Sequence, residues 1–163
     1  MKRVLFAAAI LTIVATPAVF AGDSGSGSGR FATHNGSTEV TSLPDGGRVE
    51  VAHYHQTVFA SQAGHPLDNT NADCVGMYVF SADGAPSSAS GSCFGKDADG
   101  DGTSYWWRLD KAGTSDCPGL CGSWGYFDGT GKFKGISGNG TFKQSTIFPD
   151  GSTGTWKGSY SIP

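Results

Sequence analysis

The chain has 163 residues, including 26 glycines, seven prolines, four cysteines and four tryptophans, and a formal charge of −3. That is enough chain for one domain with one core, and too mildly acidic for a nucleic-acid surface, which needs a basic patch. No second hydrophobic span and no basic amphipathic helix is present, so no membrane partner is expected once a targeting segment is removed.

Residues 1–21 read as that targeting segment. Lys2 and Arg3 form a basic start, Val4 to Val14 an apolar run, and Val19-Phe20-Ala21 a small-residue cleavage site. The run is short for a bilayer span, and no cysteine near the site points to a lipid anchor. The expectation is an exported protein, periplasmic or extracellular. Cleavage would take two of the 11 basic residues and move the formal charge from −3 to −5. Gly22 to Gly29 alternates glycine and serine and reads as a flexible tether. The folded domain is therefore expected over 30–163.

Beyond residue 30, apolar and polar residues alternate in the strand manner between clusters of turn formers. No i, i+3, i+4 stripe is sustained, so the fold class is all-β. Strands are expected near 37–43, 47–60, 72–81, 89–97, 103–110, 122–128, 139–148 and 153–162. Pro44-Asp45-Gly46-Gly47, Asp99-Gly100-Asp101-Gly102 and Pro149-Asp150-Gly151-Ser152 are hairpin signals. Eight antiparallel strands can close into a barrel, which removes exposed edges. A two-sheet sandwich of the same strands is the alternative. The interior of an eight-stranded barrel either fills with side chains or holds one small ligand.

His53 and His55 lie at i and i+2, on one strand face with Val49, Val51, Thr57 and Phe59. The other face carries Glu50, Ala52, Tyr54, Gln56, Val58 and Ala60. The first set is slightly the more apolar end to end, which points both histidines into the barrel. There they could bind a metal with His34 or His65, or move a proton. No acidic residue follows at a spacing that completes a ligand set, and a structural or surface pair is the plainer reading.

Four cysteines in an exported chain are read as disulfides. Cys117-Pro118-Gly119-Leu120-Cys121 closes a small loop over a Pro-Gly turn, giving Cys117–Cys121. Cys74–Cys93 would then join neighbouring strands across their connecting loop. A zinc site wants two short cysteine pairs, and a redox dithiol wants Cys-x-x-Cys; neither is present. Asp97, Asp99 and Asp101 are spaced as in a calcium loop, but the twelfth position, where a bidentate acid is needed, is Arg108. A hairpin tip is expected there, and no metal or other cofactor.

Tyr105, Trp107 and Leu109 share one strand face, and Trp106 and Arg108 the other. Trp124 and Trp156 add two more large rings. Such rings either fill a core or wall a cavity for a planar or apolar ligand. With His53 and His55, the candidate ligand-binding residues are Tyr105, Trp107, Trp124 and Trp156. No Ser-His-Asp order, paired-carboxylate motif or phosphate loop is legible, so no catalytic residue is assigned.

Between Trp124 and Phe142, glycines recur at 125, 129, 131, 135, 138 and 140 among aromatic residues. That is too much glycine for a helix; in a β protein it marks bends and close backbone approach. Gly129, Gly131 and Gly135 read as a barrel corner, in preference to a hairpin turn at Asn139-Gly140. Asp128-Gly129-Thr130-Gly131-Lys132-Phe133, with Gly135 and Gly138 after it, resembles the Gly-Gly-Thr-Gly-x-Phe signature of the allene oxide cyclase and dirigent barrels. Asp128 replaces the first glycine of that signature. Small secreted bacterial proteins of unassigned function resemble this family too, and resemble this chain where Cys93 precedes Lys96-Asp97-Ala98-Asp99-Gly100-Asp101. The resemblance covers roughly residues 47–162. It implies an eight-stranded antiparallel barrel with a central cavity, and permits a homo-oligomer without requiring one. Three functions are compatible with it. The first is a secreted barrel that binds a small apolar or aromatic ligand. The second is a cyclase or dirigent-like enzyme guiding a reactive intermediate by shape and water exclusion. The third is a solid-cored exported structural or interaction protein.

Overall fold

The computed structural model describes residues 22–163, and the expected targeting segment 1–21 lies outside them. Eight strands follow one another: β1 (Asp23–Ser42), β2 (Arg48–Ala60), β3 (Thr70–Phe80), β4 (Pro86–Lys96), β5 (Gly102–Thr114), β6 (Cys117–Gly129), β7 (Ser137–Phe148) and β8 (Gly151–Ile162). Each pairs antiparallel with the next, and β8 pairs with β1, so the sheet closes into a barrel. The sandwich alternative fails on that last pairing. The three hairpin signals turn the chain between β1 and β2, β4 and β5, and β7 and β8.

Closure depends on a segment that the sequence reading assigned to a tether. Asp23 to Gly29 is the first half of β1 and pairs residue by residue with Trp156 to Ile162 of β8. The glycines at 25, 27 and 29 face inward and the serines between them outward. A strand needs only its backbone to join a ladder, and here large side chains occupy the space the glycines leave. A Cβ on Gly29 would fall 2.8 Å from the Trp156 Nε1, and one on Gly27 would fall 2.5 Å from the His65 ring.

The barrel has two unlike ends. The β1–β2, β3–β4, β5–β6 and β7–β8 connections lie at one end, which we call the mouth. At the other, the floor, lie the 61–69 loop, the 97–101 turn, the bend at 130–136 and both ends of the described chain. Gly131 and Gly135 in that bend have φ of +58° and +79°, the left-handed region that a β-branched residue avoids. Between and after them, Phe133 and Ile136 turn into the floor and are buried. Asn139 and Gly140 lie inside β7, paired with Gly125 and Trp124, so the bend and not a second hairpin turns the chain here.

Both expected disulfides are present. Cys74–Cys93 crosslinks directly opposed residues of β3 and β4, with Cα atoms 4.1 Å apart, on the inner face. Cys117–Cys121 lies near the start of β6, with Cα atoms 6.0 Å apart.

Candidate functional site

Large rings fold down inside the barrel onto glycines one or two strands away. A Cβ on Gly76 or on Gly91 would come within 2.7 Å of the Trp107 ring, and one on Gly158 within 2.5 Å of the Trp124 ring. Glycine in β3, β4 and β8 thus makes room for indoles from β5 and β6. Trp124 and Trp156 meet edge to face with centroids 5.9 Å apart, as do Trp107 and Phe142 at 6.4 Å.

The rings do not fill the barrel. They leave a cavity of about 160 Å³ that runs from the floor residues Val58 and Leu67 towards the mouth. Phe31, Trp124, Phe142 and Trp156 wall one side, and Tyr54, Tyr78, Tyr105 and Trp107 the other. Ile147 and Phe148 stand at the mouth and are 64% and 47% exposed, so the cavity opens between the hairpins of that end.

Polar groups in the wall form two clusters. Tyr105 donates its hydroxyl to Gln56 Oε1 at 2.7 Å, and the Tyr54 hydroxyl lies 3.9 Å from Cys93 Sγ. Across the cavity, Thr33 Oγ1 and Ser152 Oγ share a hydrogen bond of 2.8 Å, with Asn35 and Gln144 also lining the wall. The cavity lining contains no aspartate, glutamate, lysine, arginine or histidine. Its only ionisable groups are phenols, and burial pushes each of them up: Tyr54 and Tyr105 well above the ordinary tyrosine value, and Tyr78 to about 12. At neutral pH these groups hold their protons. They can donate hydrogen bonds but cannot act as a general base.

Tyr105, Trp107, Trp124 and Trp156, singled out from the sequence, all line this cavity. His53 and His55 do not. Both are exposed on the outer face of β2, where His55 Nδ1 lies 2.7 Å from Asp73 Oδ1. The inner face of β2 is instead the Tyr54, Gln56 and Val58 set. Apolarity alone chose the wrong face because the cavity wall is itself partly polar. The four histidines do not converge either: His34 opposes His55 on the outside, while His65 is buried in the floor. Among the described residues, no group of three or more His, Cys, Asp or Glu side chains could hold a metal ion.

Asp97, Asp99 and Asp101 form the β4–β5 turn at the floor end. Asp97 Oδ1 accepts the backbone N–H groups of Asp99 and Asp101, as turn-forming aspartates do. The Lys132 ammonium sits among the three carboxylates, 2.6 Å from Asp97, 2.7 Å from Asp99 and 3.7 Å from Asp101. The position a cation would take is occupied by a side chain of the glycine bend.

Tyr54, Gln56, Tyr78 and Phe142 are cavity residues that the sequence reading did not single out. A signal for Tyr54 and Gln56 was available: they share one strand face with the large apolar Val58.

No family model matches the chain, and no curated protein matches it. Among solved structures, a pterocarpan synthase dirigent protein matches with a TM-score of 0.53, over 86% of this chain and 87% of its own, at 14% identity. The fold is dirigent-like. A second pterocarpan synthase dirigent protein matches with a TM-score of 0.46 at 12% identity, over 88% of this chain and 96% of its own. At such identity the likeness of the dirigent-like barrel is one of architecture.

Proposed function

We propose that this protein binds one small, uncharged, aromatic or apolar molecule inside the barrel and does so outside the cytoplasm. The observation that carries the reading is an aromatic cavity of about 160 Å³ whose wall holds no ionisable group except protonated tyrosines. A cavity of roughly 150 Å³ with apolar walls accommodates benzene, so the ligand has one ring or two small fused ones. A charged ligand would lose its hydration without meeting a counter-charge. The hydroxyls of Tyr54 and Tyr105 and the amides of Gln56 and Gln144 would orient a polar substituent. Export is supported by the pattern of residues 1–21 and by the two disulfides, which persist in oxidising compartments.

A second reading is favoured by the likeness to a dirigent protein. The same cavity would hold a reactive intermediate in one conformation and keep water from it, acting through shape rather than through proton transfer. The solid-cored reading has the cavity against it.

Two indole probes of different charge test the main reading, with the neutral indole-3-carboxamide, expected to bind, as the size control for the carboxylate. Indole, added during an NMR titration, is expected to shift the Nε1–H signals of Trp107, Trp124 and Trp156 saturably, while indole-3-carboxylate leaves them in place. Leu120→Trp, which puts a ring into the cavity near its mouth, is expected to abolish the indole response. Equal binding of both probes would overturn the uncharged-ligand claim, and no response to either would leave the barrel a packed core.

A further inference from the structure

The floor of the barrel contains a histidine that lies outside the cavity lining and that no part of the binding reading uses. His65 lies in the loop between β2 and β3 and is only 6% exposed. Its ring is held between Trp156 and Tyr160 of β8, with centroids 4.8 and 5.0 Å away, and packs onto Gly27 of β1. Its Nδ1 accepts the backbone N–H of Leu67 at 3.1 Å. That bond fixes the neutral tautomer with the proton on Nε2, which is buried and has no partner. Leu67, 3% exposed, lines the floor end of the cavity beside Val58.

We propose that His65 is an acid-sensitive latch: proton uptake removes the acceptor that holds Leu67 and opens the cavity at its floor. A doubly protonated imidazole has donors on both nitrogens, so Nδ1–H⁺ would point at the Leu67 N–H. The charge would sit among rings. The groups that face it are few. On its own loop, Asp68 favours the charged form, and Gln62 is neutral. From β8 come Trp156 and Tyr160; from β1 come Gly27 and, behind the Tyr160 hydroxyl at 3.4 Å, Asp23. Burial dominates over Asp68 and holds the imidazole below its ordinary value of 6.5. The latch is therefore closed at neutral pH and opens on the acid side of the usual histidine range. As regulation of the cavity, it rests on the binding reading for its consequence, which is release of the ligand in acid. Its test needs no ligand.

The experiment follows the His65 ring and backbone amide exchange by NMR from pH 7.5 to 4.5, with exchange expressed relative to the unstructured rate. The Leu67 amide is expected to lose protection at least tenfold over the interval in which His65 takes up its proton, while the Tyr105 amide stays protected. His65→Asn is expected to keep Leu67 protected throughout. Asparagine can accept the same i+2 amide with Oδ1, as in an Asx-turn, and does not titrate. The latch is overturned if Leu67 protection is unchanged while His65 protonates. It is overturned equally if Tyr105 loses protection in the same step, which would be global unfolding, or if His65→Asn behaves as the wild type. Should the variant not fold, the coupling of ring and amide in the wild-type protein still decides the matter.

Discussion

Gly158 illustrates how single residues set the shape of this barrel. It sits in the middle of β8, where a side chain would normally add strength to the strand. Its lack of a Cβ lets the Trp124 indole lie against the sheet rather than stand across the cavity, and it lets the Asn139 carbonyl approach. Gly158→Val would force the ring out of place, and overpacking of this kind costs about 1–3 kcal/mol. Urea unfolding is expected to show that loss, together with a weaker response to indole. Ser90→Val, on an exposed position of β4, is the control and is expected to stay within about 0.5 kcal/mol of wild type. Equal midpoints for the two variants would show that the ring does not depend on the glycine.

Two elements, the β4–β5 turn and the glycine bend, are held together by Lys132. The Lys132 side chain is about half exposed and its ammonium is bonded to Asp97 and Asp99, which raise its affinity for its proton. Partial burial works to raise the Asp97 value, but Lys132 and the N–H groups of residues 101 and 99 outweigh it and hold the carboxyl below its ordinary 3.8. A carboxyl with a lowered value in the folded state stabilises the fold above its unfolded value, and that contribution disappears as pH falls through the folded one. Lys132→Met is therefore expected to lower stability by a constant, small amount from pH 8 to pH 5, and by progressively less towards pH 2. Unfolding curves of both proteins across that range would show it. A difference that did not change with pH would mean that the ammonium acts only through packing. At this scale the sequence was legible where turn chemistry is local. The three hairpins, the bend at 129–138 and both disulfides follow from glycine, proline, aspartate and cysteine spacing. It was not legible where a role depends on a distant partner. Gly25, Gly27 and Gly29 look like a linker until β8, His65 and Trp156 are beside them. Lys132 gives no sign in the chain of reaching a turn more than thirty residues away.

The molecule as a whole is a barrel closed by a glycine-serine strand, packed at its floor and open at its mouth. The aromatic residues of β5, β6 and β8 announced an aromatic interior, because rings of that size, concentrated in strands, must either fill a barrel or line it. Which face of β2 joins them could not be decided from apolarity, since Tyr54 and the polar Gln56 line the cavity while His53 and His55 are outside. The emptiness of the cavity depends on the sum of all the packed volumes, and no short motif encodes that. The central claim is that this space receives a neutral aromatic molecule, and crystallography tests it most directly. A crystal of the protein equilibrated with indole is expected to show one planar ligand in the cavity, between Trp107 and Trp124 and within hydrogen-bonding reach of Tyr54, Gln56 or Gln144. A barrel whose interior holds only its own side chains and water under those conditions would contradict the account.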